Sequence, residues 1–432
     1  MRPDSSPKGH TWPPPPAFWS KLPSLTQSLT APANFKALMP EGTLEVDAVL
    51  DALSEIGLAL TEGRPCASRV RVYVDEDRRD DLVERMLKSE RWPGTQAFEA
   101  WAQALVGADR FGLIINNLEV ASEAAASALA PFVRALFAGW GVPVGGVEQA
   151  VFAGNYSSTA FGVHEGFEDA FLFHLGPGTK QFYCWSNKQY ADLTGGVAPT
   201  YTNFHWLLDS AEQFTLEPGD VLFLPRRVFH VGIQEEFSVS IALPLYAYPD
   251  SRYLALGVLP EVTRALLGES ADADEPSTMH DLAAGPAAVS ASLAPLAQAT
   301  LALGQERLPD LLAQVLEGKW KALMSNGGWE VVGDDLARSQ AAATSTPRMG
   351  DVLKLRAPYS AYSADGDAVY LRGVAVRLDL DSASAKAVVA ALNNGDGVEV
   401  DEDNIDVLAA LAETGGTRRC MPELASEWET EE

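Results

Sequence analysis

Along this chain the spacing of hydrophobic positions changes character three times. From Phe18 to about Asn155, alternating runs such as Val70–Val74 interleave with stretches of helical period. The clearest of these are Asp80–Ser89 and the Ala-rich Ala121–Trp140, and together they predict an α+β lead-in. Between Val151 and Tyr246 the pattern shortens into aromatic and β-branched runs bounded by Gly, Pro, Asn and Asp: Ala170–Leu175, Lys180–Trp185, Asp220–Pro225 and Phe237–Leu243. Closely spaced short strands of this kind predict an antiparallel barrel or sandwich.

Beyond Tyr248 the period returns to 3.6 over Leu254–Leu267, Ala287–Leu303 and Leu308–Met324. The apolar face of the third stretch (Leu308, Leu311, Leu312, Val315, Leu316) suits a bundle or a dimer interface. Short strands follow at Val352–Leu355, Ala368–Leu371 and Val374–Leu378, with helices at Ala383–Leu392 and Asn404–Glu413. The expected organisation is a flexible leader over 1–17, a barrel domain with its lead-in over 18–248, and a helical domain over 249–330. A Ser/Thr/Ala-rich linker over 331–347 and a small domain over 348–432 with an acidic tail complete it. No fixed-period repeat is present.

Composition adjusts this picture only modestly. A hydrophobic share of 47% and a charged share of 21% suit an ordinary globular protein, and 432 residues suit two or three domains. The N-terminus has no apolar signal core and every long apolar stretch is interrupted, so neither export nor a membrane span is expected. Cys66, Cys184 and Cys420 lie far apart and fit a reducing cytoplasm better than a disulfide framework. The net charge of −27 would repel phosphate backbones, which argues against nucleic acid; it serves solubility alone or, as the alternative, steers a basic peptide or protein inward. Residues 346–432 alone carry 8 Lys/Arg against 17 Asp/Glu, which weakens any DNA-binding reading of the C-terminal domain.

Two stretches carry the chemistry. One runs Asn155-Tyr156, then Phe161-Gly162-Val163-His164-Glu165-Gly166, then Glu168-Asp169-Ala170-Phe171, then Gly178-Thr179-Lys180-Gln181-Phe182. The other is Pro218-Gly219-Asp220-Val221-Leu222-Phe223-Leu224-Pro225-Arg226-Arg227-Val228-Phe229-His230. The second reads as a tight Pro-Gly turn, a buried strand and a Pro-directed turn that delivers an imidazole to a barrel mouth, where it can ligate a metal.

Taken in order, these stretches resemble the JmjC family of iron- and 2-oxoglutarate-dependent oxygenases, and most of all its ribosomal-oxygenase branch. The resemblance is sharp over Asn155–Leu243 and weaker over the rest. It implies a double-stranded β-helix of the JmjC/cupin jelly-roll type, a helical dimerisation segment giving a homodimer, and a small winged-helix-like C-terminal domain. By position, His164 and His230 match the metal ligands. Lys180 matches the residue holding the distal carboxylate of 2-oxoglutarate, with Asn155, Tyr156 and Ser240 (and Ser238 beside it) as cosubstrate neighbours. Lys180 stands one residue further from His164 than the family pattern has it, which implies a bulge near Pro177.

Gly166 is the departure. A facial triad of two histidines and a carboxylate needs Asp or Glu two residues after the first histidine, because period two puts both on one face. Glu165 faces the other way, and Glu168 and Asp169 reach inward only by rearrangement of the backbone. Three consequences stand open. Chloride can fill the gap, as in iron- and 2-oxoglutarate-dependent halogenases, which have Gly or Ala there. Water or another side chain such as His174 can complete a hydroxylase site. Or the chain is an inactive binding or scaffold protein.

His174 reads first as a satisfied barrel-interior residue, Cys184 as a small buried one, and His205 as a loop histidine. His10 and His280 read as exposed, and Arg226 and Arg227 as surface ion-pair partners. The expectation is an iron(II)- and 2-oxoglutarate-dependent enzyme that modifies an unactivated C–H bond of an amino-acid side chain in a peptide or protein.

Overall fold

A computed structural model describes residues 11–63, 66–75, 77–88, 95–157, 162–196, 203–267, 307–332, 346–363, 368–377 and 382–420. The expected helix at Ala287–Leu303, His10, His280, the tail Glu423–Glu432 and nearly all of the linker 331–347 lie outside those residues. The chain divides into two compact units, one drawn from Met1–Tyr246 with Leu323–Glu432 and the other from Ala247–Ala322.

The first unit is an α+β jelly roll. Its strands are β1 (Ala33–Phe35), β2 (Arg69–Val74), β3 (Asp77–Arg78), β4 (Phe111–Asn116), β5 (Ala150–Tyr156) and β6 (His164–Glu165). They continue as β7 (Asp169–Pro177), β8 (Lys180–Trp185), β9 (Glu212–Leu216), β10 (Val221–Leu224) and β11 (Phe229–Leu245). The larger sheet runs β1-β10-β7-β11-β5-β4-β2-β3, all antiparallel.

The sequence pattern places a strand at Phe237–Leu243, yet β11 is far longer and works in two sheets. Phe229–Ile233 pairs with β6 and β8, whereas Gln234–Leu245 pairs with β5 and β7. The register breaks between Gln234 and Ser238, where the strand passes from one sheet to the other. Such a crossing closes a sandwich at its corner.

Period two then sorts the side chains. Val151, Ala153, Phe171, Phe173, Val221, Phe223, Val239, Ile241 and Leu243 face the helices and form the main core with Leu129, Phe132 and Val133 from the helix Glu123–Trp140. The alternate residues Leu172, Phe182, Cys184, Leu222 and Leu224 fill part of the barrel interior. Full burial of each large apolar side chain contributes on the order of 1.5–3 kcal/mol.

The described end of the leader is not free chain. Trp12 stacks on Phe132 at 5.7 Å and meets Phe173 edge-on, and the first helix starts at Pro16. An indole laid on the core outweighs the extended preference of Pro13–Pro16. Within the same unit, Val352–Leu355 pairs with Val398–Glu399 and Thr417–Cys420, and Tyr362–Ser363, Ala368–Leu371 and Val374–Arg377 form a second small sheet. Helices Ser382–Asn393 and Ile405–Ala412 complete this part around Leu371, Leu392, Val407 and Leu411.

In the second unit, Leu254–Val258 forms a π-helical turn ahead of the helix Leu259–Leu267. Val258, Val262 and Leu311 form its core, and Leu256 and Trp320 stand exposed. Among the described residues, no helix is long and apolar enough to cross a membrane.

Candidate active site

His164 and His230 are directly paired across β6 and β11, with ring centroids 4.3 Å apart. Each Nδ1 lies against the carbonyl two residues upstream, His164 on Gly162 at 3.1 Å and His230 on Val228 at 3.0 Å. A carbonyl only accepts, so each Nδ1 carries the proton and each lone pair is on Nε2, the arrangement in which histidine ligates metals. Burial holds both rings below the usual imidazole pKa, His230 down to about 3, with His164 adding to the effect on His230. Both are therefore neutral at physiological pH. Phe182 stacks on the His230 ring at 5.4 Å and fixes its plane.

Gly166 sits beside this pair. Its N–H donates to Val228 O at 3.4 Å and its carbonyl accepts from Arg227 N at 2.7 Å, so the Arg226-Arg227 turn fastens the loop. A Cβ placed on Gly166 would meet His230 Cε1 at 3.4 Å, ordinary contact. The position therefore opens toward the imidazole pair. Glu165 does turn away, accepting from Asn187 Nδ2 at 3.3 Å, and Asp169 is engaged by Arg226 through its backbone N–H at 2.8 Å. No cluster of three or more His, Cys, Asp or Glu suited to a metal occurs among the described residues.

Lys180 begins β8 and points into the barrel, 1% exposed. Its Nζ donates to Tyr156 Oη at 2.9 Å and lies 5.6 Å and 5.4 Å from the Phe152 and Tyr156 ring centres. Desolvation pulls its pKa down to about 7. Among the described residues no carboxylate pairs with it. A buried ammonium left with a phenol and two ring faces has the chemistry to accept an anion. Ser238 Oγ, also fully buried, has no partner among the described residues, and it alternates along β11 with Ser240 on the interior face.

Gly232 is a site residue that the sequence reading passed over. A Cβ there would stand 2.8 Å from Lys180 Cε and 3.1 Å from Phe182 Cε2, so any larger residue would make the lysine stem or the Phe182 ring shift. The available signal was a glycine two residues after His230, on the same strand face.

Other expected residues land differently. Asn155 is a correction: its Oδ1 accepts from Phe111 N at 3.2 Å and its Nδ2 donates to Asp109 O at 2.8 Å. Strand alternation turns it away from Tyr156 and toward β4, where it serves the backbone. Ser240 Oγ meets His174 Nδ1 at 3.0 Å, and His174 Nε2 donates to Gly178 O at 2.7 Å. Both nitrogens of His174 are thus committed, which removes it as a replacement ligand.

The implied bulge falls at Leu175: Val239 pairs with Gly176 while Ser240 pairs with His174. The turn Pro218-Gly219-Asp220 is built as its chemistry requires. Gly219 has φ +90°, and the buried Asp220 carboxylate accepts from Ala37 N, Glu217 N and Lys36 Nζ. His205 is exposed and stacks on Phe204.

Residues 144–251, the stretch that contains this site, match the JmjC domain family. Among solved structures, the chain is similar to YcfD, a ribosomal oxygenase from Escherichia coli, in complex with cobalt and succinic acid. That likeness has 16% identity, covers 93% of this chain and 98% of that one, and has a TM-score of 0.49. The complex of YcfD with cobalt and 2-oxoglutarate has the same identity and coverage with a TM-score of 0.46. No curated protein matches the sequence.

Proposed function

We propose that this chain is an iron(II)- and 2-oxoglutarate-dependent oxygenase-type enzyme acting on an amino-acid side chain of a peptide or protein. The observation that carries the reading is Lys180, a buried ammonium that no carboxylate among the described residues pairs with, in the barrel that holds the His164–His230 pair. The donor set fits the implied group: two neutral imidazoles for the metal, a cation for a distal carboxylate, and Ser238 with an unsatisfied hydroxyl.

When bound, iron(II) with 2-oxoglutarate and dioxygen supplies oxidation of a C–H bond, with 2-oxoglutarate leaving as succinate and carbon dioxide. In this reading His164 and His230 hold the metal through Nε2, and the carbonyls of Gly162 and Val228 fix their tautomers. Lys180 and Tyr156 grip the distal carboxylate, and Phe182 and Leu172 keep water from the barrel floor. The net charge of −27 favours a basic peptide as substrate through long-range attraction.

A second reading, halogenation, draws on the room at Gly166, where a third ligand from outside the chain, chloride or water, would complete the metal's coordination. Anaerobic titration with iron(II) and 2-oxoglutarate, with and without chloride, separates the readings. A visible metal-to-ligand charge-transfer band supports the enzyme, and a band that moves with chloride supports the halide. If no band forms, the chain is a binding or scaffold protein.

A further inference from the structure

Away from the barrel mouth, the helices Val46–Leu50 and Ala52–Thr61, the turn Leu118–Ala121 and the C-terminal part of the first unit enclose a cleft of about 500 Å³. A smaller hollow of about 30 Å³ shares Glu119, Val120, Tyr359 and Arg372 with that cleft and adds Trp329 and Glu330 to its wall. Among the described residues, two buried polar atoms on this wall have no partner within hydrogen-bond distance, Glu119 Oε1 and the donor Trp329 Nε1, although the Asn117 side chain interacts with the Glu119 carboxyl. Glu119 is only 3% exposed, and its other oxygen is taken by Gln149 N at 2.9 Å.

The charges around the hollow have both signs and are not paired with each other among the described residues. The Glu330 carboxylate accepts from a neutral amide, Asn117 Nδ2, at 3.3 Å, and the charge of Arg69 only partly offsets the burial that raises its pKa. Arg372 lies over the Tyr359 ring at 5.4 Å and donates to Thr414 O at 3.4 Å, leaving most of its five N–H groups for another acceptor. Arg356, which also lines the cleft, is neutralised by Glu123 at 2.9 Å. A buried donor and a buried acceptor left unmade are each costly, so a ligand that satisfies both has a ready source of affinity. Burial pushes the Glu119 carboxyl up to about 8, the response of an acid that no cation among the described residues compensates, so it is protonated while the hollow is empty and would give up that proton to accept from an ammonium.

We propose that the small hollow and the adjoining cleft together form a binding site for a free α-amino acid, whose ammonium donates to Glu119 and Glu330 while its carboxylate accepts from Arg372 and Trp329 Nε1, with its side chain in the cleft. One small zwitterion meets both charges and both orphaned atoms, which a cation or an anion alone does not. The site is separate from the His164–His230 pair, so it stands or falls independently of the oxygenase reading.

The test is calorimetric titration of the whole protein with free amino acids of acidic, basic, aliphatic and aromatic side chain, followed by the methyl ester and N-acetyl derivatives of any that bind. The expected result is saturable binding of at least one amino acid. Affinity should fall about tenfold or more in Glu119→Gln and, separately, in Arg372→Met, and both derivatives should fail to bind. Glu119→Gln keeps an acceptor for Gln149 N–H, so a folded variant is expected, and Arg372→Met probes the opposite end should it not fold. Absence of binding by every amino acid overturns the proposal, and so does equal binding of the ester or the N-acetyl form. A crystal grown with the amino acid that has only a water between Glu119 Oε1 and Trp329 Nε1 overturns it as well.

Discussion

His230 is the cross-strand neighbour of His164, and the two rings come within 4.3 Å although 65 residues separate them in the chain. The relationship depends on β6, only two residues long, docking on the first residues of β11. Gly166 follows immediately and leaves the space beside His230 open.

That opening makes Gly166→Asp the most direct probe. The new Cβ would be in ordinary contact at 3.4 Å from His230 Cε1, and the backbone at Gly166 is not left-handed, so the fold should tolerate it. A third protein ligand is expected to tighten cobalt(II) binding by about tenfold or more, read from the visible absorption of the metal. Any dependence of the charge-transfer band on chloride should disappear with it. Unchanged metal affinity would remove this pocket from consideration as the metal site.

Lys180→Met should weaken 2-oxoglutarate about 10- to 100-fold, since one charge-assisted contact is lost, while metal affinity stays close to that of the parent protein. Calorimetry with and without the metal reads both. The same substitution should leave the ligand-free fold as stable or more stable, because an uncompensated buried ammonium is replaced by an apolar chain of similar length.

The pH dependence of that comparison has a definite sign. The folded pKa of Lys180 is depressed to about 7 from the usual lysine value of 10.5 by burial. Below about pH 7 the ammonium is charged in both states, and the desolvation penalty is fully present. Between about 7 and 10.5 the unfolded chain holds the proton and the folded chain does not, so this group's contribution rises with pH, by up to about 1.4 kcal/mol per unit. Ligand-free protein should therefore gain thermal stability from pH 7 to 9 relative to Lys180→Met. Parallel profiles would mean that Lys180 is solvated in solution.

Gly232→Ala tests the crossing of the lysine stem. With 2.8 Å to Lys180 Cε, the methyl must displace the stem or the strand. The expected outcome is a loss of about 1–3 kcal/mol in stability by chemical denaturation, with 2-oxoglutarate affinity reduced at least about fivefold. Full retention of both would show that the stem can take another path.

His174→Ala distinguishes a structural histidine from a ligand. Its two bonds, to Ser240 and to Gly178 O, predict a destabilisation of about 2–4 kcal/mol with metal affinity within about twofold of the parent. A collapse of metal binding in a folded variant would return His174 to the coordination sphere.

Much of this was legible in one dimension. Period-two runs located β8 to the residue and β10 closely, and the turn Pro218-Gly219-Asp220 announced both its geometry and the histidine beyond it. The missing carboxylate at Gly166 was equally plain, because a two-residue interval on a strand fixes which residues share a face. Asn155 escaped the same logic only because its neighbour Tyr156 was read with it, although adjacent strand residues must face apart.

Sequence alone determined where several of the strands lie along the chain, the identity of the chemically capable side chains and the absence of an acid two residues after His164, since these follow from local periodicity and residue type. The tertiary structure decided which of those side chains meet. The pairing of His164 with His230, the passage of β11 between two sheets, the glycine that admits Lys180 and the bonds that occupy His174 all depend on register between distant segments. Register is set by the summed packing of whole faces, such as Val239, Ile241 and Leu243 on the helix side, and no short stretch of sequence contains that sum.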